Sequence, residues 1–232
     1  MSDEENPIKS WTGSVPEFFY DLISRVPPGV FLVIAVLVEY EVVKVDQAAL
    51  FQDNGALVAF LGLLVLGAGY SIGIFLSAPG RYASRVYFSR VWKRHSNDNT
   101  DLLKRFIELG KINLAKKSDL TQLTNEEYLT IYRRMHDYLK FHNEHAKRLL
   151  PKMSAETSLC NNSAAAFTVW SIIHLIRSMY LFFSYNVPIQ WSWFVAVVPF
   201  ILILLWIGKE RYDRLISSHF SFLSLTLDHN KE

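Results

Sequence analysis

Ala164-Ala165-Ala166-Phe167-Thr168-Val169-Trp170-Ser171-Ile172-Ile173-His174-Leu175-Ile176-Arg177-Ser178-Met179-Tyr180-Leu181-Phe182-Phe183-Ser184-Tyr185 is an apolar run broken by only one full charge. It is long enough to cross a bilayer as a helix. Its polar members Ser171, His174, Arg177 and Ser178 recur at helical spacing and share one broad face. A charge at membrane depth costs at least about 2.5 kcal/mol, so it turns toward a bundle interior and a partner. Two such partners, Glu39 and Glu41, stand in another apolar run.

Working outward, four blocks approach or exceed the length of a spanning helix: 28–45, 55–79, 164–185 and 190–208. The second carries no charge from Asn54 through Gly80, and none occurs between Arg177 and Lys209. The expected fold is all-α, with four transmembrane helices and a small helical cytoplasmic bundle between spans two and three. Its divisions are a tail and interfacial amphipathic helix (1–27), a first transmembrane hairpin (28–79), a cytoplasmic helical region (80–163), a second hairpin (164–208) and a C-terminal amphipathic helix (209–232).

Charge sets the orientation. Of 232 residues with a net charge of +2, the segment 80–163 holds 16 Lys/Arg against 9 Asp/Glu. The 44–54 connection has only Lys44 among basic residues, and 185–190 has none. Basic residues near span ends remain cytoplasmic, which puts the long middle segment and both termini in the cytoplasm of a bacterial inner membrane. The lone Cys160 can form no internal disulfide, in keeping with a reducing compartment. The acidic start Met1-Ser2-Asp3-Glu4-Glu5 is the opposite of a signal peptide's basic one.

Along the chain, Ser14 and Glu17 read as a capping box opening a short interfacial helix to Arg25. Pro27-Pro28-Gly29 is expected to break it and turn the chain into span one. In span two, Gly69, Gly73 and Ser77 form a stripe of small residues, which suits close packing against a span of the same chain or a second copy. Arg81, Arg85, Arg90, Lys93 and Arg94 then lie among aromatic residues on a helix that suits anionic lipid. Nucleic acid would use similar chemistry, but no nucleic-acid-binding signature accompanies it.

Ser96 to Thr100 is a turn and cap, followed by a helix to about Lys117. Thr124-Asn125-Glu126-Glu127 is a second capping box. It opens a long helix with Leu129, Tyr132, Met135, Leu139, Ala146 and Leu150 on one face, expected to end at Pro151. A further helix from about Ser154 runs into span three. Span four is bracketed by Trp191, Trp193 and Trp206, and Pro199 is expected to kink it. Tyr212, Leu215, Ile216, Phe220 and Leu223 mark the apolar face of the last helix.

The depth match is the sharpest functional feature. Counting from Pro28 and Ala164 at 1.5 Å per residue, Glu39 lies about 16 Å and His174 about 15 Å into the membrane. Glu41 and Arg177 each lie about 20 Å in. These four residues form the expected intramembrane polar pair, as a register lock, an ion-path lining or a proton-sensitive latch. His142 and His145 with His136 lack the further ligands zinc wants, so no metal, cofactor or catalytic residue is assigned.

Arg90 to His95 and Arg214 to His219 each enclose four residues, a spacing that resembles the ribonuclease motif of HEPN domains. The residues after the arginines, Val91 and Leu215, are apolar where that motif usually has a polar one. Phe18-Phe19-Tyr20-Asp21-Leu22-Ile23-Ser24-Arg25-Val26-Pro27-Pro28-Gly29 resembles the start of small multi-pass proteins of bacteria. By analogy with such proteins, the expected function is an oligomeric membrane effector or channel-like subunit controlled through its cytoplasmic helices, as in phage defence. A non-conducting anchor or scaffold for a cytoplasmic protein comes second. A membrane-tethered HEPN-like ribonuclease comes third. The expected partners are anionic lipid, further copies of the chain and a cytoplasmic protein.

Overall fold

The structure, a computed structural model, describes residues 7–40, 55–109, 124–189 and 191–229. Glu41, the 44–54 connection and the helix expected beyond residue 109 to Lys117 lie outside them. Among the described residues, six helices follow one another: α1 (Pro7–Glu39), α2 (Gly55–Asp98), α3 (Thr100–Leu109), α4 (Asn125–His142), α5 (Glu144–Tyr185) and α6 (Trp191–His229). Stretches of α1, α2, α5 and α6 are long and apolar enough to span a membrane. The chain divides into two compact units, 1–83 with 155–208 and 84–154 with 209–232. Helices α2, α5 and α6 contribute to both.

In the first unit, Arg25 and Gly29 of α1 face Gly73 and Gly69 of α2, so these two helices run antiparallel. Ser24, Phe31 and Glu39 of α1 meet Asn162, Phe167 and His174 of α5 in ascending order, so α1 and α5 run parallel. Asn161, Phe167 and Trp170 of α5 meet Gly208, Phe200 and Trp193 of α6 in descending order. Large apolar side chains such as Leu63, Phe75, Phe183 and Val195 point outward. That outward apolarity matches a lipid solvent, against which a soluble fold would bury such residues.

Two expected breaks differ from what is observed. Helix α1 passes unbroken through Pro27-Pro28-Gly29 and begins at Pro7, well before Ser14. Proline at 28 has no N–H for the Ser24 carbonyl four residues back. Asn162 Nδ2 donates to that carbonyl at 3.0 Å, replacing the missing bond from a neighbouring helix. Pro151 likewise lies inside α5. The break falls earlier, at Asn143, whose side-chain oxygen accepts from the Ala146 N–H at 2.9 Å and so caps α5. Its amide donates to Thr226 Oγ1 at 3.1 Å. Pro199 sits inside a continuous α6.

The second unit is a helical bundle. Its core joins Val91 and Trp92 of α2, Leu103 and Phe106 of α3, Tyr128, Ile131, Met135 and Leu139 of α4, and Ala146 and Leu150 of α5. The α6 positions Tyr212, Leu215, Ile216, Phe220 and Leu223 are all buried there. The capping box at Thr124 forms: its hydroxyl accepts from Glu127 N, and the Glu127 carboxylate accepts from Thr124 N at 2.7 Å.

Candidate functional site

Three layers stack along the shared length of α1 and α5 in the first unit. The layer nearest the α5–α6 turn is ionic. Glu39 Oε1 accepts from His174 Nδ1 and from Arg177 Nη1, each at 3.0 Å. The Glu39 side chain is only 12% exposed, so the pair is largely out of solvent and the two partners replace its hydration. His174 and Arg177 are three apart on α5 and present one face to α1. The guanidinium also lies 5.7 Å from the centre of the Tyr40 ring, within cation–π range. Beside them is a cavity of about 320 Å³, lined by Val38, Ser178, Leu181, Val187 and Pro188 as well as the ionic residues. Val187 and Pro188 place its wall at the α5–α6 turn.

The middle layer is aromatic. Phe31 packs on Phe167 at 4.2 Å and on Trp170 at 5.4 Å; Phe167 meets Phe200 at 4.7 Å and Trp170 meets Trp193 at 4.4 Å. The layer farthest from that turn is amide. Asn161 and Asn162, both buried, lie where Gly208 of α6 and Gly80 of α2 approach closest. A Cβ on Gly80 would fall 2.3 Å from Asn162 Oδ1, and one on Gly208 would fall 2.6 Å from Asn161 Oδ1. Glycine at those two positions makes room for the amides. This layer was missed in the sequence, although two adjacent asparagines ahead of an apolar run were its visible mark.

Of the other sequence-derived residues, Gly69 and Gly73 face α1, while Ser77 is half-buried and donates to Ile74 O at 2.6 Å. Arg81, Arg85, Arg90, Lys93 and Arg94 are all exposed. Arg81 Nε donates to Ser77 O at 3.1 Å, and Arg94 pairs with Asp213.

The histidines of the second unit divide by environment. His95 Nε2 bonds Asp213 Oδ1 at 3.0 Å and lines a cavity of about 480 Å³ with Asn99, Ser217, Ser221 and Ser224. His219 is fully buried. Its Nδ1–H donates to Leu215 O at 2.8 Å, which leaves Nε2 as acceptor toward His136 Nδ1 at 3.0 Å. Burial lowers its pKa from 6.5 to about 4, with the nearby His136 adding to the drop and the Leu215 bond opposing it. Arg214 turns to Glu210 on its own helix. The 214–219 pair therefore offers no histidine to an RNA strand, because His219 is committed to the core. His142 stacks on Tyr138 at 4.4 Å and His145 packs on Phe222 at 5.6 Å. Among the described residues no three His, Cys, Asp or Glu side chains converge as metal ligands.

Comparison with protein-family models, curated proteins and solved structures returns no match to this chain.

Proposed function

We propose that this chain is the membrane subunit of an oligomeric effector, channel-like in action and governed through its second helical unit. The observation that carries this reading is Glu39 holding both His174 and Arg177 beside a cavity of about 320 Å³. Ionisable groups retained inside a membrane bundle, next to space, are those that ion and proton paths use. The aromatic layer supports the same reading as a closed hydrophobic constriction, of the kind that gates by dewetting. In this picture the basic middle segment and both termini are cytoplasmic, the exposed arginines of α2 meet anionic lipid, and defence against phage is one setting for such an effector. We assign the chain no catalytic step.

A non-conducting anchor for a cytoplasmic partner is the second reading. It draws on the saturation of Glu39 Oε1 by two donors, which is what a register lock requires. Induced expression with a membrane-potential dye separates the two. The effector reading expects depolarisation that changes on Arg177→Ala; unchanged potential at full membrane yield, in both wild type and variant, overturns it.

A further inference from the structure

The cavity of about 480 Å³ beside His95 is lined wholly by residues of the second unit. Its volume falls in the range of small-molecule sites. The wall is mostly polar. His95 stands near the end of α2, Asn99 at the junction with α3, and Ser217, Ser221 and Ser224 along α6, where Phe220 adds an apolar patch. No Asp, Glu, Lys or Arg is among the lining residues.

Several of these groups are held in place by bonds to neighbours. His95 Nε2 bonds Asp213 Oδ1 at 3.0 Å, and Arg94 pairs with the same oxygen. The Phe220 ring lies 6.4 Å from the imidazole and nearly parallel to it, at 22°. Asn99 Nδ2 donates to His95 O at 2.9 Å. Ser221 Oγ donates to Ser217 O at 3.1 Å, which leaves its lone pairs to accept from a guest. A wall fixed in this way loses little freedom when it is filled.

The chemistry of the guest follows from what the wall can do. Serine hydroxyls donate and accept with one atom, and an asparagine amide does both with two. Sites for phosphate or carboxylate draw on charged donors, above all arginine, and this wall has none. Its complement is a guest whose own groups both donate and accept, which is to say hydroxyl groups. At 1.5 Å per residue the three serines extend over about 10 Å of α6, a row that suits two linked rings. We propose that this cavity binds an uncharged polyhydroxylated molecule of two rings, a disaccharide or a nucleoside, with its hydroxyls on the serine row and a ring against Phe220. The proposal goes beyond the effector reading, because binding to the second unit stands whether or not ions flow in the first.

The test is NMR of the imidazole signals of full-length, histidine-labelled protein in lipid nanodiscs. The chain has seven histidines, and His95→Gln assigns the one that lines the cavity. Maltose, trehalose, adenosine and inorganic phosphate are titrated separately. A saturable shift of the His95 signal with a disaccharide or with adenosine is expected, and which of them acts identifies the source of the hydroxyls. No saturable shift with any of the three neutral probes overturns the proposal, and so does a shift with phosphate alone. Ser217 and Ser221 are exposed, so their replacement spares the core. Ser217→Ala should raise the midpoint about two- to tenfold, the worth of one hydrogen bond, and Ser221→Leu should abolish the shift by filling the cavity. Ser218→Ala, one position off the row, should leave it unchanged. A shift that persists in folded Ser221→Leu places the guest elsewhere and also overturns the proposal. The wild-type titrations decide the matter even where a variant fails to fold.

Discussion

Gly29 of α1 and Gly69 of α2 meet so closely that a Cβ built on Gly29 would lie 1.7 Å from the Gly69 carbonyl oxygen. Gly73 is as confined, with the Arg25 carbonyl oxygen 2.2 Å from its would-be Cβ. Gly62 and Gly67 on the same helix have nothing within 4 Å. Since the obstructing atoms are backbone, the helices must separate to admit a methyl group. Overpacking of this kind costs about 1–3 kcal/mol or more. Gly29→Ala and Gly73→Ala should therefore lower the melting temperature in detergent, while Gly62→Ala and Gly67→Ala leave it in place. Since alanine is the better helix former, equal losses at all four positions would show that this crossing does not single out Gly29 and Gly73.

Arg177→Ala leaves Glu39 with His174 as its partner. Removing one member of a buried ion pair costs about 3–5 kcal/mol, and removing both costs less. Folded yield should fall in Arg177→Ala and recover in part when Glu39→Gln is added. Additive losses in the double variant would mean that the two side chains do not depend on each other.

Acid should weaken the second unit through His219. Its folded pKa is depressed to about 4 from 6.5, so between these values the unfolded chain takes up a proton that the fold refuses. The stability is complete above pH 6.5 and is lost as the pH falls toward 4. A shift of this size corresponds to about 3 kcal/mol. Unfolding monitored by the emission of buried Trp92 should show this slope, and His219→Asn should flatten it. A slope unchanged by that substitution would place the titration elsewhere.

Orientation is checked by reporters active only outside the cytoplasm. Fusions after Gln52 and Asn186 should give signal, and fusions after Lys117 or at Glu232 should not. Signal at Lys117 would reverse the charge-based orientation.

Purified protein should not cut RNA in a histidine-dependent way. His219→Ala is expected to lose folded protein before any activity could be read, so His95→Ala is the informative variant. Cleavage by the wild type that vanishes in a folded His95→Ala variant would restore the ribonuclease reading.

The four helices apolar enough to span a membrane and the Glu39–His174 contact were legible because hydropathy and helical rise are local quantities; counting matched Arg177 with Glu41, which lies outside the described residues, and Arg177 meets Glu39. Equal depth along two parallel helices then follows by counting. The continuity of α1 was not legible, because the rule that proline ends a helix assumes its orphaned carbonyl stays unmet. Asn162, 138 residues away, meets it. Asn143 and Pro151 were exchanged for the same reason, since the cap on α5 is anchored by Thr226 of a distant helix. His219 stood on the apolar face with Leu215, Ile216, Phe220 and Leu223, and its alternative pairing with Arg214 drew attention from that simpler periodicity.

The parallel arrangement of α1 and α5 has a consequence for biogenesis. Parallel neighbours cannot be joined by a tight turn, and 135 residues separate Glu39 from His174. At about 5–20 residues per second of synthesis, the carboxylate waits roughly 7–27 s for its partner to be made. During that interval the nascent α1–α2 hairpin is held without α5, by the glycine crossing and the Tyr70–Asp21 hydrogen bond, with Glu39 still near water or an insertion factor. Ribosome stalling between residues 100 and 170 should thus trap an intermediate whose first hairpin is docked and whose acidic end has yet to be committed to the membrane.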